Sequence, residues 1–87
     1  MTTEGYNGWK NRQTWNVSLW INNEESLYFS AVAYMNRTNA KKLTRGAYRN
    51  FIKSEGMADE RTPDNIGWMS TRLDYKALDS MMAELVS

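Results

Sequence analysis

The sequence predicts a small all-α domain, a bundle of about four helices with a long loop before the last one. Three observations lead there. Apolar residues recur at three- and four-residue intervals over 24–37, 39–55 and 74–86, which places them on one face of a helix. Each stretch opens beside a residue able to cap it: Asn22 or Asn23, Thr38 or Asn39, and Asp74. The chain has 87 residues and no cysteine, so there is room for one domain, 1–87, held by packing alone. With apolar residues at 41% and aromatics at 13%, that domain can bury a small core.

Residues 1–10 read as an irregular aromatic arm. Tyr6-Asn7-Gly8-Trp9 centres on Asn-Gly, whose residues tolerate positive φ and so favour a turn. Over 12–22, two periods compete. Trp15, Val17, Leu19 and Ile21 alternate with polar neighbours or Trp20, as in a strand, while Trp15 and Leu19 at i,i+4 behind Asn11 as cap suit a helix. Helix is the better reading, because the following elements are helical and a lone strand has no partner.

Residues 24–37 carry Glu24 and Glu25 in the first turn, where the helix dipole favours acids, followed by Leu27, Ala31, Tyr34 and Met35, with Tyr28 and Val32 widening the face. Over 39–55 the apolar side is Leu43, Ala47 and Phe51 with Tyr48 and Ile52, and Gly56 stops the helix. The stretch 57–73 is loop-rich. Thr62-Pro63-Asp64 suits a capped turn or one short helical turn, and Ile66, Trp68 and Met69 fold back onto the core. Asp74 then caps a helix over 74–86, with Leu78, Met81, Met82 and Leu85 inside and Lys76, Asp79 and Glu84 pointing outward. The expected buried centre is Leu19, Leu27, Ala31, Leu43, Ala47, Phe51, Leu78, Met82 and Leu85.

Composition excludes much chemistry. Without histidine or cysteine there is no Ser-His-Asp machinery, no thiol catalysis and none of the usual zinc sites. The five glycines are scattered and form no phosphate loop. The carboxylates match no calcium-loop or paired-acid spacing and read as caps and solubilising groups. The expectation is therefore a non-enzyme with no cofactor and no metal. No apolar run reaches the roughly 18 residues of a membrane span, and no signal stretch opens the sequence, so a cytoplasmic protein without a membrane partner is the default.

Charge is unevenly spread. The formal total is +1, yet residues 26–54 hold Arg37, Lys41, Lys42, Arg45, Arg49 and Lys53 and no acid, while 55–87 hold seven acids against three bases. Lys41, Arg45, Arg49 and Lys53 step by four and so share a face if the helix over 39–55 is continuous, with Lys42 beside it. That stripe suits an anionic partner, either a phosphate backbone or an acidic protein surface. The plainer alternative is a solvated face, partly neutralised by the acidic tail. The tryptophans divide in the same way. Most suit a core in which the indole N–H finds an acceptor, while Tyr6, Trp9 and Trp20 are the aromatic contact candidates.

The run Gly8-Trp9-Lys10-Asn11-Arg12-Gln13-Thr14-Trp15-Asn16-Val17-Ser18-Leu19-Trp20-Ile21-Asn22-Asn23-Glu24-Glu25 resembles the opening of an uncharacterised family of short phage, plasmid and cyanobacterial proteins, a GW-x-N-x-x-TWNV-x-LW-like motif followed by an acidic helix start. Thr62-Pro63-Asp64 and Leu73-Asp74-Tyr75 resemble that family's ending. The resemblance implies a mobile-element accessory protein and brings no catalytic residues. Small proteins of this kind often modulate a host complex by binding it, and that is the expected function, with direct nucleic-acid binding through the basic face as the alternative.

Overall fold

The computed structural model describes residues 8–38 and 46–86. Among them lie four helices and no strand: α1 (Arg12–Asn23), α2 (Glu25–Thr38), α3 (Ala47–Ser54) and α4 (Tyr75–Glu84). α1 packs on α2, α3 on α4, and α2 bridges the two pairs. The all-α expectation holds.

Asn11 caps α1, its side-chain oxygen accepting the Thr14 amide at 2.9 Å and the Thr14 hydroxyl at 2.7 Å. The helical period wins over 14–21, but on a different stripe from Trp15 and Leu19. The buried face is Thr14, Val17, Ser18 and Ile21 with Asn16 alongside, and Leu19 is only half-buried. The chain then turns on one extended residue. Glu24 donates its amide to the Trp20 carbonyl, ending α1, and its carboxylate accepts the Ser26 amide at 2.9 Å, opening α2. Glu24 fills the role expected of Asn22 or Asn23. Asn22 instead donates to the Ser18 carbonyl and the Met81 sulfur.

α3 differs most from expectation. Within the described residues it begins at Ala47, because Gly46 has φ +78, a left-handed conformation that suits glycine and lies outside the helix. Residues 39–45, with Leu43 of the expected core, lie outside the described residues. Gly46 has no side chain to cap the helix, and the cap comes from α4. Asp79 accepts the Gly46 amide on Oδ2 and the Tyr48 amide on Oδ1, both at 2.9 Å. Asp79 is therefore buried, not outward as its position on the helical wheel implied. At the other end Gly56, at φ +72, stops α3 as expected. Its amide bonds the Lys53 carbonyl and that of Met57 bonds Ile52, the Schellman arrangement.

The loop 57–73 folds back. Thr62-Pro63-Asp64-Asn65 forms a tight turn, with Asn65 in the left-handed region and the Thr62 amide on the Ile66 carbonyl at 2.8 Å. This buries Ile66, Trp68 and Leu73. Asp74 caps α4 through the Ala77 amide at 3.2 Å.

The core comprises Val17, Ile21, Ala31, Met35, Ala47, Tyr48, Phe51, Ile52, Ile66, Trp68, Leu73, Leu78 and Met82. Ala31, Ala47, Phe51, Leu78 and Met82 were expected there. Leu19, Leu27 and Leu85 prove half-buried. Phe51 sits at the junction, its ring 5.7 Å from that of Tyr34 on α2. Tyr48 is buried with its hydroxyl donating to the Trp68 carbonyl at 2.6 Å, and burial pushes that phenol well above its ordinary range.

Two substitutions test this packing by urea denaturation. Phe51→Ala should cost about 3–5 kcal/mol, the usual range for truncating a buried phenylalanine; a midpoint close to wild type would show the ring is not inside. Asp79→Ala strands the Gly46 and Tyr48 amides and should cost about 2–4 kcal/mol, a lost cap plus unsatisfied buried donors. Asp79→Asn keeps one acceptor and should recover part of that loss; equal losses in the two variants would count against the capping role.

Candidate functional site

Three groups of residues were candidates for contact: the aromatics of the opening run, the basic stripe and, unforeseen, the outer face of α2. The opening run turns out to be engaged within the protein. Asn16 is 1% exposed. Its amide nitrogen donates to Asp64 Oδ2 at 2.7 Å, and its oxygen accepts the Thr62 hydroxyl at 2.7 Å. Thr62 Oγ1 in turn accepts the Asp64 and Ile66 amides, each at 3.2 Å. Trp20 is half-buried, and its indole N–H donates to the same Asp64 Oδ2 at 3.0 Å. At the start of the helix, Asn11 Nδ2 donates to the Arg72 carbonyl at 2.8 Å, and Thr14 Oγ1 accepts the Asp74 amide at 2.9 Å.

The polar members of the motif thus bind α1 to the loop 62–74, and Trp20 belongs to that clamp. The hydrogen bond from Asn16, and then that from Trp20, hold the Asp64 carboxyl below its ordinary pKa, with a smaller contribution from the Arg12 charge.

Trp9 is half-buried against the core and lines an open recess of about 460 Å³ with Gly8, Ala77, Ser80, Met81 and Glu84. Tyr6 lies outside the described residues.

Of the basic stripe, only its second half falls on the described residues. Gly46 interrupts the helix before Ala47, and Lys41, Lys42 and Arg45 lie outside the described residues. Arg49 and Lys53 remain, exposed and four apart on α3. Arg49 lies over the ring of Tyr75, its guanidinium carbon 3.8 Å from the centroid, so part of its role is to cover an aromatic of α4. Tyr75 donates its hydroxyl to the Ser70 carbonyl at 2.7 Å. Its pKa is raised by burial, against which the Arg49 charge acts. Lys53 stands in the last turn of α3, where the helix dipole favours a cation.

A second recess, of about 410 Å³, is bounded in part by Asp59, Glu60, Arg61, Ser70 and Thr71. Among the described residues, no three His, Cys, Asp or Glu side chains come together where they could hold a metal ion. No described helix is long and apolar enough to cross a membrane.

The feature sequence reasoning missed is Phe29. It is 60% exposed, the only large hydrophobic residue so exposed among the described residues. It leans edge-on against Tyr28, ring centroids 5.8 Å apart. Around it on α2 are exposed Ala33 and half-buried Val32. The signal was present in the period. Phe29 stands roughly 160° round the helix from buried Ala31, where a soluble helix ordinarily places a polar residue.

The chain belongs to a family of unknown function, DUF7249, whose model matches residues 2–87. No curated protein and no solved structure matches it.

The Asp64 clamp predicts a pH dependence. A carboxylate whose pKa is lowered on folding contributes stability that is fully present above its unfolded value, about 3.9. That stability is lost as the pH falls through the lower folded value. Asp64→Asn keeps the acceptor and removes the charge. Its melting temperature should lie below wild type at pH 6, and the gap should close as the pH falls towards about 2. A gap that stays constant over that range would show that the charge contributes nothing.

Proposed function

We infer that this member of the family is a non-catalytic protein-binding module, and that its contact surface is the outer ridge of α2. The single observation behind this reading is the exposed Phe29 with Val32 and Ala33 beside it. Leaving an aromatic ring largely in water costs solubility. Aromatic anchors beside small residues are what protein interfaces use. The likeness of the opening run to phage and plasmid proteins adds the finer reading: a mobile-element-encoded modulator of a host complex, acting by occupancy in the cytoplasm.

Direct nucleic-acid binding is the second reading. Arg49 and Lys53, exposed on one side of α3, favour it. Two cations on an eight-residue helix, one already stacked on Tyr75, make a small phosphate footprint.

Partner capture from a host lysate separates the two. Capture by wild type should survive nuclease treatment and moderate salt, and Phe29→Ser should abolish it while leaving the circular-dichroism spectrum unchanged. Capture lost on nuclease treatment, and lost equally in Arg49→Glu, would move the function to nucleic acid.

A further inference from the structure

We propose that the outer ridge of α2 pairs with the same ridge of a second copy of this chain, the two helices crossing antiparallel about a two-fold axis. The inference rests on the reading of α2 as the contact surface and names its occupant.

The argument comes from the order of residues along the ridge. Glu25, Phe29, Ala33 and Arg37 are four apart and all exposed, so they form one continuous i±4 ridge along α2. Read in the N-to-C direction the ridge is acid, large aromatic, small, base. Turned end for end it is base, small, large aromatic, acid, which complements the first at every step. With a two-fold axis level with residue 31, Glu25 faces Arg37 of the partner subunit, and Phe29 lies over Ala33 of the partner subunit. Both contacts then occur twice. A self-complementary patch of this kind is what an isologous interface requires.

The i±4 rows of two helices run parallel when the axes cross near −50°, so the two ridges can lie along one line. Along that shared line the small side chain of Ala33 leaves the space that the partner's phenyl ring needs. The two charge pairs lie at the ends and the two aromatic contacts between them, an apolar centre with a polar rim. The outer side chains are already partly ordered, Phe29 by Tyr28 at 5.8 Å and the Arg37 guanidinium by the Tyr34 ring at 5.8 Å. One helical ridge buries roughly half of the 800 Å² per partner typical of a stable complex, so the pairing is concentration-dependent.

Sedimentation equilibrium tests it, from roughly 10 μM to 1 mM. The apparent mass of wild type should rise with concentration from 10.1 kDa towards twice that value. Phe29→Ser should weaken association at least roughly 10-fold. Glu25→Arg and Arg37→Glu should each do so alone, because each sets like charges against one another twice. Mixed in equal amounts, those two variants should associate again, since both facing pairs in the mixed dimer carry opposite charge. That rescue has no counterpart in a merely structural effect, and circular dichroism confirms that each variant is folded.

A wild-type mass that stays at the monomer value overturns the proposal, as do single reversals that associate like wild type or a mixture that fails to recover. A monomer whose Phe29→Ser variant loses capture of a different protein overturns the second copy as occupant and leaves α2 as the contact surface. A monomer whose capture ignores Phe29 overturns both readings.

Discussion

Asn16 is the residue on which the arrangement of this small fold turns. Its buried amide needs both a donor and an acceptor partner, because a buried polar group left unpaired costs more than a hydrogen bond returns. Both partners come from one turn of the loop, Thr62 and Asp64. The loop has almost no regular structure of its own, yet it delivers Ile66, Trp68 and Leu73 to the core. The clamp gives that loop a fixed register against α1. Asn11 and Thr14 repeat the device at the start of α1, on Arg72 and Asp74, so α1 positions both ends of the segment that leads into α4, from two different sides.

A second long-range contact completes the frame. α3 has eight residues and is preceded by a glycine at its cap position, so it is too short to be stable alone and has no capping side chain of its own. Asp79, from α4, supplies the cap. The carboxylate meets the buried Tyr48 amide and the part-buried Gly46 amide, and the helix pair α3–α4 is fixed end to side. Once these two contacts are in place, α2 needs only its apolar face to be held, and its outer face is left to carry Glu25, Phe29, Ala33 and Arg37.

What the sequence made legible was local. Asn11 and Asp74 as caps, Gly56 as a stop and the return of Ile66 and Trp68 all follow from neighbours within a few residues, and all hold in the structure. What it hid was non-local. Asp79 looked solvent-facing because helical periodicity counts positions on a single wheel and knows nothing of the next helix's amides. The start of α3 was hidden too, because a four-residue step assumes helix through Gly46, whose backbone is left-handed. Trp20 looked like a contact residue because its acceptor, Asp64, is 44 positions away. Phe29 is hidden for a different reason: it stands opposite the buried stripe, and helical periodicity identifies only the residues that join the stripe.

The separation of the clamped residues along the chain has a consequence for synthesis. Asn11, Thr14 and Asn16 emerge early, while their partners at 62, 64, 72 and 74 lie 46 to 61 positions later. Until the segment 62–74 has left the ribosome, the long-range partners of these side chains are absent, and closing α1 into the interior would leave the Asn16 amide unpaired. The α1–α2 hairpin, joined by the single residue Glu24, can form at once from local contacts, whereas the polar seam must wait for distant ones. The buried Asn16 therefore ties closure of the core to the arrival of the segment 62–74.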